Sequence, residues 1–392
     1  MKYDFSVMID RRDTHSYKWD VGSDELPMWV ADMDFPTAPE IVEAIQKRAQ
    51  HSIFGYNMVP EEFFESISNW WLKRHQYKME TEWMLFCTGV VPAISSVVRK
   101  LTTVGENILI QSPVYNIFYN SIVNNGRHVL SSDLVFDGTE YHIDFKDMET
   151  KLANPQTTLM ILCNPHNPIG KVWDKETLKT MGDLCYKHNV VVISDEIHCD
   201  LTSLDTKYTP FASVSKSCMM NSITCIAPTK AFNLAGLQTA CIVVPNPVLR
   251  HKVNRGINTD EVAEPNSFAC VATIAAFTRG ERWLEELRAY IDENKKVARE
   301  YVKQNLPQLS IVASKATYLL WIDCSQVCDD SAVLANFIRE HTGLYVSSGR
   351  EYGTNGVTFI RINIACPRER LLDGLSRLYK GIQLFDAKDI HK

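Results

Sequence analysis

The sequence predicts an α/β fold: a large domain built on a mostly parallel β-sheet, plus a smaller α/β domain formed by the N-terminal segment and the C-terminal part. Three observations carry this expectation. Between residues 84 and 244 six short apolar runs alternate with stretches of helical periodicity. Several of these runs are apolar at every position, as strands buried on both faces of a parallel sheet are. The chain also has 392 residues, beyond the roughly 250–300 at which one hydrophobic core stops growing, so two lobes are expected.

Taken in order, residues 1–50 are too few for a domain and are expected to pack on the small one. Residues 51–282 form the large domain, with strands expected at 84–87, 108–110, 159–162, 190–193, 223–226 and 240–244. Between 280 and 306, Trp283, Leu287, Tyr290, Ile291, Val297 and Tyr301 fall near helical spacing, and Pro307 stands just beyond as a stop. This long amphipathic helix bridges to the small domain, residues 283–392. Strands are expected there at 318–322, 344–346 and 359–364, and helices near 331–341 and 369–379. No repeat or Gly/Ser linker separates the two, so the boundary must come from contacts.

Composition narrows the function. With 41 Lys plus Arg against 47 Asp plus Glu, a net charge of −6 and no basic block, binding to nucleic acid through bulk positive charge is excluded. No apolar run approaches the roughly 18–20 residues that cross a bilayer, so no membrane partner is expected. Met1-Lys2-Tyr3-Asp4-Phe5 lacks the basic and apolar stretches of a secretory signal, which makes the cytoplasm the expected location. Eleven cysteines are an odd number, and Cys163, Cys225 and Cys241 lie in apolar runs, so reduced buried thiols are expected. Cys324 and Cys328 have no second pair nearby, and no His pair has the H-E-x-x-H spacing; no metal is expected.

In open α/β sheets ligands gather beyond the carboxyl ends of the strands. The first run leads into Thr88-Gly89-Val90-Val91-Pro92 and a helical stretch from 93 to 101, a turn whose backbone N–H groups suit a phosphate. The second ends in Ser112-Pro113-Val114-Tyr115, placing an aromatic ring at the sheet edge. The third ends in Asn164-Pro165-His166-Asn167-Pro168, a rigid turn that would hold the Asn167 amide in one orientation. The fourth runs into Ser194-Asp195-Glu196-Ile197-His198, a carboxylate that is costly to bury unless a cation pairs with it. The fifth leads to Ala227-Pro228-Thr229-Lys230, and a desolvated lysine can lose its proton and act as an amine nucleophile.

With those motifs stand Met28-Trp29-Val30-Ala31-Asp32-Met33-Asp34-Phe35, Gly55-Tyr56 and Phe359-Ile360-Arg361-Ile362-Asn363. Together they resemble the fold-type I enzymes dependent on pyridoxal phosphate, and within them the cystathionine β-lyase or C-S lyase branch of the class I/II aminotransferases. The resemblance runs over nearly the whole chain. It implies pyridoxal 5'-phosphate as cofactor, bound by the large domain, with Lys230 holding it as a Schiff base and later moving the substrate proton. It further implies that Asp195 binds the ring nitrogen, that Tyr115 stacks on the ring and that Asn167 bonds its phenolic oxygen. His198 and Thr229 would join the cofactor site. Gly89, Val90 and Val91 would cradle the phosphate, with Tyr56 reaching over from the second subunit of a homodimer that shares its active sites. Arg361 would clamp the substrate carboxylate, with Ala31 and Tyr115 beside it; a planar guanidinium suits that bidentate task.

Two departures from the wider aminotransferase pattern matter. Ala227 and Gln238 stand where typical members place a serine and an arginine on the phosphate, and His198 stands where many have a tyrosine, as in the lyase branch. The implied activity is cleavage of the Cβ–S bond of a sulfur amino acid to thiol, pyruvate and ammonia. An aminotransferase is the alternative, and so is a lyase with an added regulatory binding role.

Overall fold

A computed structural model describes residues 2–389. In chain order its strands are β1 (Leu26–Pro27), β2 (Met84–Cys87), β3 (Asn107–Ile110), β4 (His128–Ser131), β5 (Val135–Phe136), β6 (Tyr141–His142), β7 (Thr157–Cys163), β8 (Val191–Asp195), β9 (Ser222–Ile226), β10 (Ala240–Val243), β11 (Ser310–Ile311), β12 (Leu319–Asp323), β13 (Leu344–Tyr345), β14 (Ser347–Ser348) and β15 (Phe359–Asn363). Seven of them form one sheet in the order β2-β10-β9-β8-β7-β3-β4. Only β10 runs antiparallel to its neighbours; the remaining pairings are parallel. The expected fold class is therefore observed.

Alternation explains why these runs are apolar throughout. Ile108, Ile110, Leu159 and Ile161 face one core, under the helix Val90–Leu101. Leu109, Met160, Leu162 and Val192 face the other, under the helix Lys175–Lys187. Successive side chains point to opposite faces, so a strand covered on both sides must be apolar at odd and even positions alike.

The antiparallel strand has a consequence for the site. Because β10 runs backwards, its first residue lies at the edge where the parallel strands end: Ala240 faces Cys87 and Cys241 faces Ile226. Gln238 and Thr239 are thereby delivered to the same edge as the strand-end motifs.

The small sheet, β11-β12-β15-β14, is antiparallel and packs against the helices Ser331–Thr342 and Arg368–Asp389. The long helix Glu281–Asn305 precedes it. The N-terminal segment reaches this part of the chain through the parallel pair of β1 and β13, and the Asp34 amide donates to Ala365 O at 2.8 Å. Phe5 packs edge-on or tilted against Phe35, Trp283 and Tyr290.

Three local expectations are corrected. Edge strand β4 was not foreseen, because only Val129 and Leu130 are apolar and an edge strand need bury little. The helix after β2 starts at Val90 rather than at 93, since Gly89 already serves as its N-cap and Pro92 is tolerated in a first turn. The run at 344–346 yields only the two-residue β13, and a separate short strand, β14, follows at Ser347–Ser348. All eleven cysteines are free and all but Cys328 are buried. Among the described residues no helix is long and apolar enough to cross a membrane.

Candidate active site

At the carboxyl edge of the large sheet lies a cavity of about 250 Å³. It is lined by Ala31, Gly89, Val90, Val91, Tyr115, Asn167, Asp195, His198, Thr229 and Lys230, so nearly every sequence-predicted residue converges there. Thr88, Cys163, Ile197, Ala235, Gln238 and Thr239 line it too and were not singled out as lining residues. Arg361 sits behind the wall: Nη1 donates to Asn167 Oδ1 at 3.1 Å and Nη2 to Trp29 O at 2.8 Å. Tyr56 does not join them; it is fully exposed, in a loop against residues 264–267. A larger surface groove of about 700 Å³ lies between the helices Pro39–Gln50 and Ala269–Arg279 and shares no lining residue with the cavity.

Each strand end contributes one kind of group. At the end of β2, Gly89 is extended and the helix from Val90 has no side-chain cap, so its first N–H groups remain available at the cavity. Beyond β9, the free Lys230 amine donates to Ala31 O at 2.7 Å. At the end of β8 the two adjacent carboxyls diverge. Asp195 lines the cavity, whereas Glu196 is bonded to Ser194 Oγ, Tyr208 OH and Phe211 N.

Burial sets the charges. Asp195 is 4% exposed, and burial pushes its carboxyl up to about 7, opposed by the Ile197 N–H at 3.1 Å and the Lys230 charge. Among the described residues no ion pair reaches it. Lys230 is lowered to about 8 by burial and then by the Arg361 cation, against the pull of Asp32 and Asp195. Burial and the same two cations take His198 down to about 3, leaving a neutral imidazole. Burial pushes Tyr115 up to about 12, so its hydroxyl keeps its proton.

Comparison with known proteins gives the family. The family model for aminotransferase class I and II matches residues 24–378. The chain belongs to that family. Cystathionine beta-lyase PatB of Bacillus subtilis (strain 168) is 40% identical to this family member over 380 residues, 95% of this chain and 98% of its own. Cystalysin from Treponema denticola, whose crystal structure contains a pyridoxal 5'-phosphate cofactor, has a TM-score of 0.95 at 30% identity, covering 98% of this chain and 99% of its own. The pyridoxal-phosphate-bound C-S lyase from Staphylococcus hominis has a TM-score of 0.91 at 33% identity, covering 97% and 99%.

The residues present fit such a cofactor. A buried carboxylate without a counter-ion suits a cationic ring nitrogen, and the uncapped helix N-terminus suits a phosphate. Asn167 gives its Oδ1 to Arg361, which leaves its amide N–H₂ for a ring oxygen. The polar side chains Thr88, Thr229, Gln238 and Thr239, which line the cavity together with that helix start, are all neutral. Outside the cavity, the buried His75, Cys199 and Asp200 cluster could be taken for a metal site. There Asp200 already accepts from Trp70 Nε1 at 3.0 Å, and Arg74 Nε lies 2.8 Å away, so its charge is answered by an arginine.

Proposed function

We propose that this chain is a pyridoxal-phosphate-dependent carbon–sulfur β-lyase of the cystathionine β-lyase type. It would act as a cytoplasmic homodimer with shared active sites and cleave sulfur amino acids to thiol, pyruvate and ammonia. The observation that carries the reading is Asp195, a buried carboxylate without a counter-ion, sharing one cavity with the Lys230 amine and the uncapped N-terminus at Val90. The names of the similar proteins supply the reaction class. The free cysteines support a reducing compartment. Exposure of Ile53, Phe54, Tyr56 and Met58 supports a second subunit over that loop.

When bound, the cofactor supplies an aldehyde for an amine and a ring that stabilises negative charge at the substrate Cα. The remaining work falls to this chain. Lys230 would hold the cofactor through its amine and would take the Cα proton, for which an amine lowered to about 8 is well poised. Asp195 would keep the ring nitrogen protonated. Gly89, Val90 and Val91 would offer N–H groups to the phosphate, with Thr229 beside them and Tyr56 from the second subunit. Asn167 would donate to the phenolic oxygen, while Tyr115 and the neutral His198 would wall the ring. Arg361 grips the substrate carboxylate next to Ala31, so that the Cα–H bond is presented to Lys230 and proton transfer becomes effectively intramolecular. We assign cofactor binding to residues 51–282 and treat residues 1–50 and 283–392 as the unit that carries Arg361.

The test is incubation with cystathionine in the absence of any keto acid. Pyruvate and a free thiol should appear together, and Lys230→Ala should abolish both. If turnover requires a keto-acid acceptor, the protein is an aminotransferase and the lyase reading falls.

A further inference from the structure

Residues 28–35 form a strap with little regular structure that is tied down along most of its length. Its carbonyls hold both reactive side chains: Trp29 O accepts from Arg361 Nη2 at 2.8 Å, and Ala31 O from Lys230 Nζ at 2.7 Å. Two amide side chains clasp the same strap. Asn363, two residues after Arg361 on β15 and 1% exposed, donates from Nδ2 to Val30 O and Asp32 O, both at 2.6 Å, on either side of Ala31. Asn233, three residues after Lys230, accepts from Met33 N and donates to Met33 O and Phe35 O, each at 3.0 Å. It has a φ of 56°, a left-handed conformation that asparagine tolerates better than most residues. Each clasp thus stands beside one reactive side chain and grips the segment that touches both.

We propose that Asn363 and Asn233 are positioning residues: through one shared strap they set the spacing between the carboxylate-binding Arg361 and the proton-moving Lys230. Neither amide need touch substrate. A carbonyl oxygen under 3 Å from a donor nitrogen fixes the direction in which that side chain points, and a strap held at both ends gives the two side chains a common reference. Misplacement by about 1 Å can cost about 100-fold in rate, so a loosened strap should damage carboxylate binding and proton removal together.

The inference rests on the roles given above to Arg361 and Lys230, and its test avoids the elimination step. L-alanine has the carboxylate and the Cα–H bond but no leaving group at Cβ. With the cofactor-loaded dimer in deuterated water, its Kd is read from the visible absorbance of the protein. The rate of Cα–H replacement by deuterium at saturation is read by proton NMR. Asn363→Ala and Asn233→Asp should each raise Kd and slow exchange, both by about tenfold, and the double variant should be less than about twofold worse than the poorer single one, since one strap can be released only once. Asn233→Asp keeps the left-handed tolerance and the acceptor, loses the two donated bonds and sets a carboxylate oxygen against the Met33 and Phe35 carbonyls.

The proposal is overturned if each variant moves only the parameter of its own neighbour and the double variant gives the product of the two. It is equally overturned if thermal stability drops while Kd and exchange rate stay put. Should a variant fail to fold, hydrogen exchange on the wild type decides: the amides of Met33 and Asp34 should gain protection when alanine binds, and unchanged protection refutes the coupling. Failure of the lyase reading would look different, because the wild type would then exchange alanine yet release no thiol from cystathionine.

Discussion

Replacing Asp195 with asparagine should move stability and activity in opposite directions. Burial raises this carboxyl from its ordinary 3.8 to about 7, and each tenfold change in proton affinity is worth about 1.4 kcal/mol, so the buried charge costs the cofactor-free fold about 4 kcal/mol above pH 7. Because the folded value is the higher one, the native state binds more protons than the unfolded chain between pH 4 and pH 7 (about the two values). The stability of the cofactor-free protein should therefore fall as pH rises through that window. The Asp195→Asn side chain would keep the acceptor for the Ile197 N–H and lose the charge. Urea unfolding of cofactor-free protein at about pH 5 and about pH 8 measures the effect. The variant should be more stable than wild type at the higher pH, by up to about 4 kcal/mol, with most of that gap gone at the lower. In the loaded enzyme the sign reverses, since the ring nitrogen loses its counter-charge, and pyruvate release should fall about 100-fold or more. Equal stability of the two proteins at about pH 8, or an unimpaired loaded variant, would refute the reasoning.

Arg361→Lys cannot hold both Asn167 Oδ1 and Trp29 O while presenting a planar pair of donors, so KM for cystathionine should rise about tenfold or more; an unchanged KM would remove Arg361 from carboxylate binding. The Asp34 side chain lies 1% exposed among Arg11, Lys18 and Arg370, and Asp34→Asn should cost about 3–5 kcal/mol in urea unfolding, because three cations would lose their shared partner. Burial works against that carboxylate, but Lys18 and Arg370 hold it below its usual value. Its contribution should therefore persist at neutral pH and disappear only as pH drops through the lowered value. Tyr56→Phe should retain less cofactor after dialysis of the dimer, and undiminished retention would take Tyr56 out of the neighbouring site.

The large sheet was legible because burial on both faces leaves a local mark: 159–162 and 223–226 are almost wholly apolar, with Thr224 the one polar residue between them. Asp195 and Lys230 were legible for a related reason, since an ionisable group directly after such a run must be paired, titrated or functional. Edge strand β4 left too faint a mark, two apolar residues in a row of four. Arg361 on its own reads as an exposed cation on a strand. Only the folded chain brings its guanidinium to Asn167, 194 residues away, and to the carbonyl of Trp29. The residues of the strap are named by the sequence, but which of its carbonyls receive Lys230, Arg361 and the two asparagine amides is decided by the path of the chain. Side-chain patterns record what is buried within a run of neighbours. A backbone oxygen is chemically alike at every residue, so its partner exists only once distant segments have packed.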